Sequence, residues 1–287
     1  MGRTAIGVVG CGLMGSGIAE VAARAGCDVV VVEADDPAAK RGRARIESSL
    51  ATAVDRGKLT AEEQHEALDR IDVTDDFATL ADRELVIEAV VESAPAKVAV
   101  FERLDEVVEA GDAVLASNTS SIPIMKLAMA TQRPEAVTGL HFFNPVPVLQ
   151  LVELVPSLLT SEPTIERAEG FATEVLGKRV IRSKDRAGFV VNALLIPYLL
   201  SAVRMLESGF ATAEDIDAGM VEGCAHPMGP LRLTDLIGLD TTMAVAESLY
   251  EEFKEPLYAA PPLLSRMVDA GLLGRKAGRG FYDYHRS

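Results

Sequence analysis

The segment AIGVVGCGLMGSG, residues 5–17, decides how the rest of the chain is read. A short apolar run, 5–9, enters a turn with glycines at 10, 12 and 15 and continues into a helix-forming stretch. That strand–turn–helix context makes a common glycine pattern specific for dinucleotide binding. Gly10 permits the tight turn, Gly12 lets a pyrophosphate approach the backbone, and Gly15 lets helix and strand pack closely. The helix N-terminus then offers unpaired N–H groups and a partial positive charge to phosphates. The next apolar run, 28–33, ends in Glu33. A carboxylate there suits the adenosine ribose hydroxyls and repels a 2′-phosphate, which favours NAD over NADP.

Outward from this unit, short β-branched runs alternate with longer helical patterns, as in a parallel sheet with crossover helices. Further strands are expected at 85–89, 113–116, 136–140, 150–155 and 179–181, with a helix over 163–176. Between the second and third runs, residues 37–70 read as two helices projecting from the sheet. Ile46, Leu50 and Val54 recur at helical spacing. Thr60 followed by Glu63 has the capping-box form that starts a helix. This insertion carries Arg41, Arg43, Arg45, Arg56 and Lys58. From Gly188 onward the pattern is helical, over 189–206, 213–222, 231–253 and 262–270. The expected fold is α/β: a Rossmann-type dinucleotide-binding domain with a helical insertion over residues 1–184, then an all-α domain over 185–287.

Composition narrows the function classes. The 287 residues suffice for two packed domains. A formal net charge of −15 argues against a nucleic-acid or anionic-membrane partner. Residues 188–206 are apolar, yet Asn192, Pro197 and Arg204 interrupt them, so a buried helix is expected there and not a membrane span. Cys11, Cys27 and Cys224 match no metal spacing, and reduced thiols in a cytoplasm are the simplest reading. The N-terminus shows no signal-peptide pattern.

Ligands of open α/β sheets sit at the carboxyl ends of the strands. One such end carries Ser117-Asn118-Thr119-Ser120, another His141, and a third runs through Val90 and Val91 into Glu92. Oxidising a secondary alcohol removes the O–H proton as the C–H hydride leaves. Imidazole titrates near neutral pH and suits the base. Glu153, twelve residues beyond His141 on the next strand, can hold the imidazole tautomer and stabilise the imidazolium. Ser120 and Asn192 are short hydrogen-bonding groups suited to the substrate oxygen and to orienting the pair.

The blocks GxGxxG, VIEAVVE, SNTSS, HFFNPVPV…LVE, GFVVN, PMGP, GLDT and GRKAGRGFY occur in this order along the whole chain. With them the chain resembles the short-chain L-3-hydroxyacyl-CoA dehydrogenase family, nearest its bacterial 3-hydroxybutyryl-CoA members. The resemblance implies NAD-dependent interconversion of a 3-hydroxyacyl-CoA and a 3-oxoacyl-CoA in an interdomain cleft. It implies His141 as acid/base, Glu153 as its partner, and Ser120 and Asn192 as positioning groups. It further implies cofactor contacts at Gly10, Gly12, Leu13, Met14, Gly15, Glu33, Glu92, Lys97, Ser120, Asn144 and Lys276, the last in a Gly-rich segment able to fold over the first domain. Ser49 and Arg56 match residues that hold coenzyme A, with arginine where relatives often carry lysine, which keeps the charge but not the geometry. A homodimer through the second domain is expected on the same ground. The residues leave open a free hydroxy or sugar acid as substrate, and a non-catalytic NAD-binding relative.

Overall fold

The computed structural model describes residues 4–285. Up to Arg186 the described residues form one compact unit, and from Ala187 onward a second. In chain order the first unit holds β1 (Ala5–Val9), α1 (Leu13–Arg24), β2 (Asp28–Val32), α2 (Asp36–Asp55), α3 (Ala61–Leu68) and β3 (Ile71–Thr74). There follow β4 (Leu85–Glu88), α4 (Ala94–Val107), β5 (Val114–Ser117), α5 (Ile124–Ala128), β6 (Val137–Phe142), β7 (Leu151–Pro156), α6 (Glu162–Gly170) and β8 (Arg179–Arg182).

All eight strands make one sheet in the order β3-β2-β1-β4-β5-β6-β7-β8. β1 to β6 pair in parallel, β7 runs antiparallel to β6, and β8 is parallel to β7. Two points depart from the expectation of a parallel sheet read off the apolar runs. Residues 71–74 form an edge strand that composition did not signal, because only Ile71 in that stretch is buried. The reversal at β7 is the other. β2, β4, β5 and β6 are buried along nearly their whole length, as strands covered on both faces must be.

The insertion packs down and does not stand away from the sheet. Ile46 and Leu50 of α2 are fully buried in one core with Ile18, Ala19 and Ala22 of α1 and Ile6, Val8, Val29 and Val31 of the sheet. Each buried Ile, Leu or Val of this set contributes about 1.5–3 kcal/mol by leaving water. Asp35 starts α2 by accepting from the Ala38 N–H at 2.7 Å. Thr60 and Glu63 form a reciprocal capping box that starts α3.

The second unit is helical: α7 (Val191–Glu207), α8 (Ala213–Cys224), α9 (Pro230–Ile237), α10 (Leu239–Phe253) and α11 (Pro262–Asp269). Residues 231–253, expected as one helix, are two, because Gly238 adopts φ +104° between α9 and α10. Leu200, Val203, Leu231, Leu239, Ala246, Leu249 and Leu264 form its core. Two buried aspartates bind the C-terminal segment to it. Asp235 accepts from the Phe281 and Tyr282 N–H groups at 2.9 and 3.0 Å and from the Tyr284 hydroxyl at 2.9 Å. Asp217 accepts from the Leu231 and Arg232 N–H groups at the start of α9, and the Tyr282 hydroxyl lies 2.8 Å from its Oδ2. Burial raises the Asp235 carboxyl above its ordinary range although three donors oppose the shift. Removing a hydroxyl from a buried carboxylate should destabilise by about 1–3 kcal/mol. Tyr282→Phe should therefore lower the stability of the second unit by about that amount in urea unfolding followed by circular dichroism, and an unchanged midpoint would contradict this anchoring.

Candidate active site

The glycine turn follows β1 and opens α1. Gly10 has φ +91°, and a Cβ at Gly15 would overlap the Gly10 carbonyl oxygen, so the turn cannot form with a side chain there. A Cβ at Gly12 would meet no protein atom, which leaves the backbone open to a ligand. Leu13 is largely exposed at this mouth and Met14 is half-buried against the core. Glu33 directly follows β2. Its Oε1 accepts from the Cys11 N–H at 2.6 Å and its Oε2 from the Ala34 N–H at 3.1 Å. Arg45 of α2 donates to the Cys11 carbonyl at 2.5 Å. Cys11 is therefore held from both sides, and burial together with Glu33 pushes its thiol up to about 12. That thiol is inert filler, as is buried Cys27, whose thiol burial pushes up to about 11.

Three neighbouring strand ends carry the polar groups. Antiparallel register sets His141 of β6 directly opposite Glu153 of β7. Residues so opposed share one face of a sheet. The His141 Nδ1 lies 2.7 Å from Glu153 Oε2, with Glu153 fully buried and His141 nearly so. A carboxylate can only accept, so Nδ1 carries the hydrogen. The Phe143 ring packs edge-on against the imidazole at 4.6 Å between centroids. Asn118, at the end of β5, accepts from the Phe142 N–H at 2.8 Å and ties that strand end to the residue after His141.

Ser120 sits in a loop organised by Glu92. Glu92 Oε1 lies 2.5 Å from Thr119 Oγ1, 3.0 Å from the Ser120 nitrogen, 3.3 Å from Ser120 Oγ and 3.0 Å from Ser121 Oγ. Burial raises the Glu92 carboxyl, but the Lys97 ammonium and these donors outweigh it and hold it below the usual carboxylate range.

Other expected site residues are placed as follows. Lys97 is not a surface group: it is 1% exposed, and its ammonium donates to Glu88 at 2.6 Å and lies 3.3 Å from Glu92. Asn144 is exposed and precedes Pro145 through a cis peptide bond. Ser49 of α2 donates to the buried Glu20 at 2.6 Å, and Arg56, which caps α2, is exposed. In the second unit, Asn192 lies half-buried in the first turn of α7, and Lys276 is bound to Asp240 at 2.6 Å. Glu88 and Asn118 were not singled out by sequence reasoning. The signal for Glu88 was a carboxylate inside an otherwise apolar strand, LVIE.

Fold, open turn and Glu33 together define the NAD-binding domain of a dehydrogenase. A family profile described as 3-hydroxyacyl-CoA dehydrogenase, NAD binding domain, matches residues 5–186, and the C-terminal domain profile of the same family matches residues 188–284. The chain is 61% identical over 279 residues to a 3-hydroxybutyryl-CoA dehydrogenase of Mycobacterium tuberculosis, covering 97% of this chain and 98% of that one. The crystal structure of M. tuberculosis FadB2 superposes with a TM-score of 0.98 at 60% identity, covering 99% of this chain and all of that one. That of (S)-3-hydroxybutyryl-CoA dehydrogenase PaaH1 from Ralstonia eutropha gives 0.93 at 44%, with coverage of 99% and 100%. The chain belongs to the 3-hydroxyacyl-CoA dehydrogenase family. Because Gly15 has no room for a Cβ, Gly15→Ala should weaken NADH binding at least about tenfold in a fluorescence titration; wild-type affinity would refute the assigned turn.

Proposed function

We propose that this protein is an NAD-dependent (S)-3-hydroxyacyl-CoA dehydrogenase that interconverts 3-hydroxybutyryl-CoA and acetoacetyl-CoA. The observation that carries this reading is the buried His141–Glu153 pair on the sheet edge where the dinucleotide turn also opens. NAD, when bound, supplies the hydride acceptor. The Nε2 lone pair of His141 takes the hydroxyl proton of the substrate as the hydride departs, and returns it in the reverse direction. Glu153 fixes the tautomer that makes this possible and stabilises the imidazolium once it forms. A neutral or solvent-exposed partner would do the second task poorly, since the pair acts in a buried site where charge interactions are strong.

In this reading Ser120 and Asn192 bind the substrate oxygen and orient the reacting pair. Gly10, Gly12, Leu13, Met14, Gly15, Glu33, Glu92, Ser120 and Asn144 hold the cofactor. Lys97 serves it through Glu92, and Lys276, paired with Asp240, is a further cofactor contact in this reading. The strongly acidic chain needs local cations for coenzyme A. Arg56 and Lys58, exposed at the end of α2, supply them beside Ser49. Arg43 and Arg45 do not, being bound to the Ile71 and Cys11 carbonyls. The protein would work in the cytoplasm, with no nucleic-acid partner, as a homodimer through the second unit. Among the described residues no helix is long and apolar enough to cross a membrane.

The test is oxidation of NADH followed at 340 nm with acetoacetyl-CoA, beside free acetoacetate at equal concentration. Rapid turnover of the thioester alone is expected, and His141→Gln should lower kcat at least about 100-fold with NADH affinity unchanged. Turnover of the free acid instead would replace the thioester by a free hydroxy acid. Wild-type kcat in His141→Gln would remove the histidine from the mechanism.

A further inference from the structure

Behind the loop that carries Ser120 lies a row of buried charges with no part in the proton and hydride steps. Glu88 is fully buried at the end of β4. Its Oε1 accepts from the Lys97 ammonium at 2.6 Å and from the Val90 N–H at 2.7 Å. Its Oε2 accepts from Ser117 Oγ at 2.6 Å, across the parallel register that pairs Glu88 with Ser117. Ser117 Oγ in turn accepts from the Thr119 N–H at 3.1 Å. Lys97 comes from the first turn of α4, almost wholly buried, and passes from Glu88 to Glu92. Glu92 then gathers the donors of residues 119–121 on one oxygen.

Stability alone does not call for this arrangement. Desolvating the Glu88 carboxylate and the Lys97 ammonium costs several kcal/mol per ion, and a well-packed apolar pair in their place would be as stable or more so. An apolar pair would, however, leave Glu92 without its cation and Ser117 without its acceptor, so neither anchor of the loop would be held. The buried row therefore makes sense as a device of placement.

We propose that Glu88 is a positioning residue for hydride transfer, acting through Lys97 and Ser117 to hold the Glu92-bound loop that presents Ser120. This rests on the dehydrogenase reading above for its kinetic consequence, though not for its structural one. Because Glu88 touches neither substrate nor cofactor in this scheme, its loss should slow the chemical step more than it weakens binding. Misplacement of a reacting group by about 1 Å can cost up to about 100-fold in rate.

The experiment is a double-mutant cycle on the full chain with Glu88→Gln, Lys97→Met and the double variant. For each, kcat and KM are measured with NADH and acetoacetyl-CoA, the NADH Kd by fluorescence, and amide hydrogen exchange across residues 117–122 without ligands. Each single variant should lose at least about tenfold in kcat, with smaller changes in KM and in the NADH Kd. Loop exchange should accelerate, and the double variant should fall no further than the worse single one, since both changes break the same link. Multiplying losses, a loss confined to KM or Kd, or unchanged exchange at 117–122 would each overturn the proposal. If Glu88→Gln does not fold, Glu88→Asp, whose shorter carboxylate cannot keep both the Lys97 and the Ser117 bonds, must still speed loop exchange; wild-type exchange there overturns it. A wild type inactive toward the thioester would instead sink the dehydrogenase reading, and the exchange result would still decide whether Glu88 holds the loop.

Discussion

The antiparallel register of β6 and β7, which sets His141 opposite Glu153, is the constraint on which the rest of the site depends. Strand pairing has a side-chain period of two, so a slip of one residue would turn Glu153 to the far face of the sheet. The hydrogen bonds along five residue pairs, from Thr138 with Pro156 to Phe142 with Val152, fix that register. The carboxylate is thus delivered to the imidazole by backbone geometry and needs no flexible loop to find it. Full burial of Glu153 then makes the contact costly to lose, because a carboxylate cut off from water must keep a partner.

The other polar groups are arranged around strand ends by the same logic. β4, β5 and β6 lie side by side and parallel, so their carboxyl ends open on one edge of the sheet, where the glycine turn after β1 also ends. Beyond those ends the chain leaves the ladder, and its amide groups must find new acceptors. Glu92 and the side chains of Ser117 and Asn118 provide them. The same donors that order the loop also keep Glu92 ionised, so structure and electrostatics at this edge reinforce each other.

Much of this was legible before any coordinates. The run from Ala5 to Gly15 announces its fold because glycine at 10 and 15 answers to a left-handed turn and a contact with no room for a side chain. Thr60 and Glu63 announce a helix start because both halves of the reciprocal bond appear in four residues. Local chemistry of this kind is written locally. The strand at Ile71 was missed because an edge strand buries too little to leave an apolar signature. The single helix expected over 231–253 failed at Gly238, since periodicity does not say whether a glycine bends or continues a helix. Lys97 is expected from sequence as a cofactor contact, but its burial depends on Glu88 and Glu92, which only the folded sheet brings to it. Glu88 itself went unread because a lone acid within LVIE gives no hint of its partners.

The central claim is that Glu153 makes His141 a base. The most direct measurement is the kcat of Glu153→Gln with NADH and acetoacetyl-CoA, together with its NADH affinity. An amide of the same shape can still touch the ring but cannot stabilise the imidazolium, so kcat should fall at least about 100-fold at unchanged NADH affinity. A kcat equal to that of wild type would contradict the account.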